Sequence, residues 1–263
     1  MKVVILAGGM GTRMGEETKV IPKPMVEVGG KPMLWHIMNW YAMQGFNDFI
    51  ICCGYKGHII KEYFWNSFHS HRDFAINVNN KEKIDFYSNP PMGDWKITCI
   101  DTGEDTMTGG RILKVLPFIG DNPFMLTYGD GVSNVDIKKL LAFHKEHKAP
   151  VTFTAVHSPG RFGVVHFDEE VPGYVGSFRE KPVGQETEWV NGGFFVIDEF
   201  PFHALDTNKP EKDIIWEKDI LPRLAEEGNL TAYKHEGFWK CMDYYKDKLE
   251  LEELYKEKDH IYG

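Results

Sequence analysis

The chain has 263 residues, of which 42% are hydrophobic and 26% charged, the balance of a folded globular protein and not of a disordered one. Its 30 Lys and Arg stand against 39 Asp and Glu, a formal charge of −9. That balance argues against nucleic acid as a partner, because duplex binding needs a basic face, but it leaves room for an anionic small molecule held by a few converging cations.

The predicted elements alternate. Lys2 to Ala7 is a nearly continuous β-branched run, the pattern of a strand covered on both faces. Met33 to Met43 reads as a helix, Phe49 to Cys53 as a strand, and Lys56 to Phe68 as a helix. Residues 75 to 94 read as loop, on the strength of Asn-Asn, Asn-Pro-Pro and Gly-Asp. Strands at Trp95 to Ile100 and Pro123 to Tyr128 alternate with helices at Gly110 to Leu116 and Val135 to His144. Strands follow at Val151 to Val156, Phe162 to Phe167, Tyr174 to Phe178 and Phe194 to Ile197, then helices at about Asp213 to Glu227 and Tyr244 to Glu257. Short connections between alternating elements predict right-handed βαβ units and an α/β fold with a Rossmann-like, mostly parallel (mixed) sheet flanked by helices, carrying a smaller strand-rich part. We expect one domain over 1–263, with no internal repeat.

No apolar stretch approaches the ~18–20 residues of a membrane span, and Gly8 and Gly9 cut the N-terminal run short of a signal peptide. Cys52, Cys53, Cys99 and Cys241 form no C-x-x-C pair and read as free thiols. The expected location is the cytoplasm, with no membrane partner.

The strongest local signal is Leu6-Ala7-Gly8-Gly9-Met10-Gly11-Thr12-Arg13. Glycines after a buried strand let backbone N–H groups approach phosphate oxygens. A Walker A loop would need Gly-Lys-Ser/Thr further on, and the dinucleotide pattern begun at Gly9 would need glycine where Met14 stands. Arg13 instead supplies a bidentate cation. Glycines alone are also what a tight βα turn requires. In Pro22-Lys23-Pro24 the lysine backbone is expected to be extended and outside any helix, aiming the ammonium with little conformational loss. Asp130 follows the strand Met125 to Tyr128 between two glycines, where a strand end meets a ligand crevice; a plain turn residue is the alternative. Asp243, just before the last predicted helix, also reads as an N-cap.

The glycine loop, Pro22-Lys23-Pro24-Met25 and Gly30-Lys31-Pro32 together resemble the sugar nucleotidyltransferase family over nearly the whole chain, most closely its cytidylyl branch. Tyr128-Gly129-Asp130-Gly131, Pro159-Gly160-Arg161-Phe162-Gly163, Glu180-Lys181-Pro182, Asn191-Gly192-Gly193 and Met242-Asp243 extend the likeness. Two positions depart from the family pattern: Ile21 stands where a further basic residue is common, and Tyr244 where Thr is usual. Neither removes a group that the chemistry needs. The resemblance implies that Leu6 to Arg13, Lys23 and Gly129 hold a nucleoside triphosphate, that Thr106 and Arg111 meet the base, and that Asp130 and Asp243 jointly bind Mg²⁺. It further implies that Lys181 holds a sugar phosphate, and that Tyr128, Glu180 and Asn191 line the sugar site.

The implied reaction joins CTP and α-D-glucose 1-phosphate into CDP-glucose and pyrophosphate, with Arg13, Lys23 and Asp130 as the catalytic set. The attacking phosphate oxygen is already anionic, so no general base is needed and catalysis reduces to positioning and charge neutralisation. UTP or dTTP in place of CTP would use the same phosphate machinery, and a nucleotide-sensing relative would keep only the loop. Met14 disfavours an NAD-dependent oxidoreductase. A homo-oligomer, a hexamer included, is expected from the family.

Overall fold

The structure is a computed structural model that describes residues 1–70, 72–77, 79–88, 93–157, 164–168, 171–179 and 189–262. Strand β1 (Lys2–Leu6) enters the glycine loop, which continues through a 3-10 turn (Thr12–Met14) into α1 (Glu16–Val20). A second 3-10 turn (Lys23–Met25) leads to the short strands β2 (Glu27–Val28) and β3 (Lys31–Pro32), then to α2 (Met33–Met43). Next come β4 (Asp48–Cys53), α3 (Gly57–Ser70), β5 (Phe74–Asn77), β6 (Asn80–Phe86), β7 (Lys96–Asp101) and α4 (Thr108–Ile119). They are followed by β8 (Phe124–Tyr128), β9 (Gly131–Ser133), α5 (Ile137–His147) and β10 (Val151–His157). Strands β11 (Val164–Phe167), β12 (Val175–Arg179), β13 (Trp189–Asn191) and β14 (Phe195–Ile197) precede α6 (Leu221–Glu226). The chain closes with β15 (Leu230–His235), β16 (Trp239–Cys241) and α7 (Tyr245–Lys258).

The main sheet runs β12-β11-β13-β10-β14-β8-β1-β4-β7, with β15 added beside β10. Its β8-β1-β4-β7 half is wholly parallel, and β14 joins antiparallel on the other side of β8. The expected α/β sheet, mixed and with a wholly parallel half, is therefore present. β1 shows why its sequence is apolar throughout: Val3 and Ile5 pack into the core under α2, α3 and α7, while Val4 and Leu6 pack into the one under α4 and α6. From β1 the chain steps to β4 and β7 on one side, then returns to β8 on the other. The crevice above the carboxyl ends of β1 and β8 is thus the point where the strand order reverses, the place where such sheets bind ligands.

Four expectations change. Within the stretch 75–94, read as loop, β5 and β6 pair as a hairpin, and the four β5 side chains are all exposed, so that strand shows no buried alternation to detect. The helix expected from Asp213 to Glu227 is instead a 3-10 turn (Glu211–Asp213), a π-helical turn (Trp216–Ile220) and α6: Ile214 and Ile215 are extended (ψ 124° and 115°) and part the first two, and Pro222 falls in the first turn of α6, where a missing N–H is tolerated. The glycines after it make Asn191-Gly192-Gly193 read as the start of the next strand, whereas Asn191 closes β13. Lys23 begins a 3-10 turn; the extended residue is Pro22 (φ −68°, ψ 147°), and Pro24 is tolerated because the first turn of a helix has N–H groups to spare. No helix among the described residues is long and apolar enough to cross a membrane.

Candidate active site

Seven of the eight residues from Leu6 to Arg13 line a cavity of about 380 Å³ at the β1/β8 switch point, and Met10 is exposed beside it. The loop is anchored through Gly8, whose carbonyl accepts the Tyr55 N–H at 3.0 Å and Arg111 Nη2 at 2.9 Å. Gly11 is in the left-handed region (φ +62°), and a Cβ there would lie 2.8 Å from the Lys23 Cβ. The close approach of loop and lysine therefore requires glycine.

Asp130 and Asp243, 113 positions apart in the chain, meet through strand pairing. β16 runs antiparallel to β9, with Cys241 opposite Gly131, and the Met242 N–H donates to the Asp130 carbonyl at 2.9 Å. Asp243 is not the helix cap that its position suggests. Tyr244 is the N-cap of α7, in a capping box with Asp247, and the Asp247 carboxylate accepts the Asp243 N–H at 3.0 Å and the Tyr244 N–H at 2.8 Å. The Asp243 side chain is left to face the cavity.

Lys23 sits between the two acids. Its Nζ donates to Asp130 Oδ2 and to Asp243 Oδ1, each at 2.6 Å, and Arg13 Nη1 donates to Asp243 Oδ2 at 2.7 Å. Burial by itself would pull the Lys23 ammonium down, but the charges of Asp130 and Asp243 and the hydrogen bond to Asp130 hold it above its ordinary value. Lys23 is 8% exposed and Asp243 5%, whereas the Arg13 side chain is more than half exposed and reaches out of the loop. The Cys241 sulfur lies within 4.8 Å of carboxylate oxygens of both acids, and burial pushes that thiol well above its ordinary range. The two carboxylates, engaged here by Lys23 and Arg13, converge on the cavity and are of the type that could hold a hard divalent cation.

Arg111 and Thr106 also line the cavity, but Arg111 is only 4% exposed and its guanidinium turns onto backbone. Besides Gly8, it donates to the carbonyls of Gly103 (2.8 Å) and Glu104 (3.2 Å) and to Thr102 Oγ1 (2.6 Å). A Cβ on Gly8 or Gly54 would overlap it, so the two glycines make room for a strut that ties the phosphate loop to the loop after β7. Gly129 donates its N–H to the Leu6 carbonyl at 3.0 Å and brings the β8 end against the loop.

On the other wall, Tyr128 lines the cavity and its hydroxyl accepts from Asn191 Nδ2 at 2.9 Å. The same hydroxyl donates to Glu217 Oε1 at 2.7 Å. Burial, followed by the Glu217 charge, raises the phenol well above its ordinary value. Glu180 and Lys181 lie outside the described residues, as does Pro159 to Gly163. Sequence reasoning missed Glu217, Cys241 and Asp247. Of these only Asp247 carried a signal, an acid three residues after Tyr244 at a helix start.

A Rossmann-like sheet with a glycine phosphate loop, two clamping cations and an acid pair defines a phosphate-handling transferase site. The family model described as Nucleotidyl transferase matches residues 2–254, and the chain belongs to that family. It is 46% identical to the glucose-1-phosphate cytidylyltransferase of Salmonella typhi, over 98% of this chain and 96% of that one. It is 39% identical to the probable glucose-1-phosphate cytidylyltransferase of Bacillus subtilis strain 168, over 100% and 99%. The crystal structure of HddC from Yersinia pseudotuberculosis shares the fold, with a TM-score of 0.75 at 24% identity over 97% of this chain and 99% of that one.

Proposed function

We propose that the chain transfers a cytidylyl group from CTP to α-D-glucose 1-phosphate, giving CDP-glucose and pyrophosphate. The observation that carries this reading is the convergence of Arg13, Lys23, Asp130 and Asp243 at the mouth of the glycine loop, in a relative of glucose-1-phosphate cytidylyltransferases. The obstacle to the reaction is the meeting of two polyanions, not the making of a nucleophile. In this reading the amides of Gly8 to Thr12 and the exposed Arg13 guanidinium take the triphosphate tail and the departing pyrophosphate. Lys23, held at the cavity floor by two acids, offsets charge near the α-phosphoryl group. Asp130 and Asp243 would hold the Mg²⁺, which when bound would neutralise phosphate charge. Thr106 and Arg111 border the base, Arg111 by fixing the loop against which the nucleotide lies. Tyr128, Asn191, Glu180 and Lys181 receive the sugar phosphate.

Residues up to about 150 thus form the nucleotide part, and 151–263 the sugar part. A cytoplasmic homo-oligomer, a hexamer included, belongs to the same proposal, and light scattering on the purified chain reports the assembly.

The test is pyrophosphate release with glucose 1-phosphate and each of CTP, UTP, dTTP and ATP. Turnover with CTP at least about tenfold above the others in kcat/KM, a preference of roughly 1.4 kcal/mol, supports the reading. Equal turnover with UTP or dTTP replaces the base assignment, and binding without turnover replaces the enzyme with a nucleotide sensor.

A further inference from the structure

Glu217 joins two walls of the cavity without lining it. It lies on the π-helical turn Trp216–Ile220, which is fixed from several directions. Trp216 is fully buried and its N–H donates to Thr108 Oγ1 at 2.9 Å. Asp219 Oδ2 accepts the Ile215 N–H at 2.6 Å, closing the start of the turn. From this frame Glu217 Oε1 accepts the Tyr128 hydroxyl and Oε2 the Thr108 hydroxyl, both at 2.7 Å. Tyr128 and Thr108 are cavity residues from different elements, the end of β8 and the first turn of α4.

An ionised carboxylate only accepts, so both hydroxyl hydrogens are committed to it. The Tyr128 oxygen is thereby left as an acceptor: Asn191 Nδ2 donates to it at 2.9 Å, while Asn191 Oδ1 is occupied by the Gly193 N–H at 2.9 Å. The chain Thr108–Glu217–Tyr128–Asn191 thus has every donor direction set from one end.

We infer that Glu217 is a positioning residue for the sugar phosphate, fixing Tyr128 as an acceptor and the Asn191 amide as a donor toward the bound sugar. The inference rests on the functional reading above, in which Tyr128 and Asn191 receive glucose 1-phosphate. Glu217→Gln keeps the shape of the side chain but turns one of its two acceptor oxygens into an NH₂ donor, so the hydroxyl that faced that oxygen must rotate and the wall loses its single polarity.

The experiment measures steady-state kinetics and calorimetric binding for the wild type, E217Q, Y128F and the double variant. In E217Q the KM for glucose 1-phosphate is expected to rise about tenfold, with kcat within about threefold and the affinity for CTP within about twofold. The melting temperature is expected to stay near that of the wild type. Because the two residues act as one unit, the double variant is expected to be no worse than the poorer single one. An active wild type with E217Q at wild-type KM, or fully additive losses in the double variant, overturns this inference alone. A wild type that neither turns over nor binds glucose 1-phosphate overturns the functional reading, and this inference falls with it.

Discussion

Lys23 separates two carboxylates that would otherwise repel each other across a partly buried cavity floor. Its ammonium is shared equally, 2.6 Å from each acid, so its loss leaves the two acids unneutralised and, on the proposed reading, removes a cation from the substrate. Lys23→Ala is expected to lower kcat by about 10²–10³-fold, the scale of one preorganised transition-state contact. The far-ultraviolet circular dichroism spectrum should be retained; near-normal turnover would remove Lys23 from the mechanism. Gly11→Ala tests the loop geometry, because it combines a positive φ with an overlap on the lysine side chain. Weaker CTP binding by about tenfold is expected, read by calorimetry. A third residue sets a pH dependence away from the site. Burial pushes the His36 imidazole below its ordinary value of 6.5, outweighing the Val28 carbonyl that its Nε2 meets at 2.8 Å. The unfolded chain therefore binds that proton first. Stability is fully present above about pH 6.5 and is lost as the pH falls through the lower folded value. Melting temperatures should drop on acidification, with a shallower slope in His36→Gln, which keeps an N–H for Val28.

Single elements differ in how far the sequence reveals them. β1 and its loop are legible because a strand buried on both faces needs an unbroken apolar run, and the glycines after it mark where backbone must approach a ligand. α2, α3 and α7 begin and end within two residues of the positions that apolar spacing implies. The pairing of β9 with β16 is not legible. Each has three residues, too few for a period to register, and they come together only through contacts across more than a hundred positions. That pairing is what brings Asp243 to Asp130, so the acid pair follows from resemblance and not from spacing. Glu217 was hidden for a related reason: a helix drawn continuously through Pro222 assigns it to an arbitrary face, whereas the π turn delivers it to Tyr128. At this scale Asp247 is the informative position, since its carboxylate both caps α7 and receives the Asp243 N–H. Asp247→Ala is expected to cost about 1 kcal/mol in chemical denaturation. It should also lower kcat, because the cap holds a site carboxylate; a stability loss with unchanged kcat would separate the two roles.

Across the whole molecule, the net charge of −9 describes solubility and not the site. The cations that matter, Arg13 and Lys23, are gathered at the point where β1 and β8 diverge. The parallel half of the sheet ends in the phosphate loop, the antiparallel half carries Asn191, and Tyr128 stands on the strand between them. On the proposed reading two substrate positions lie side by side here, with the acids Asp130 and Asp243 at their border. The most direct measurement of this account is pyrophosphate release from CTP and glucose 1-phosphate, with the divalent cation stripped by chelator and then returned as Mg²⁺. The account predicts turnover that disappears with the chelator, returns with Mg²⁺, and is lost in Asp130→Asn and Asp243→Asn proteins that still fold. Turnover that persists through chelation, or that survives both substitutions, would contradict it.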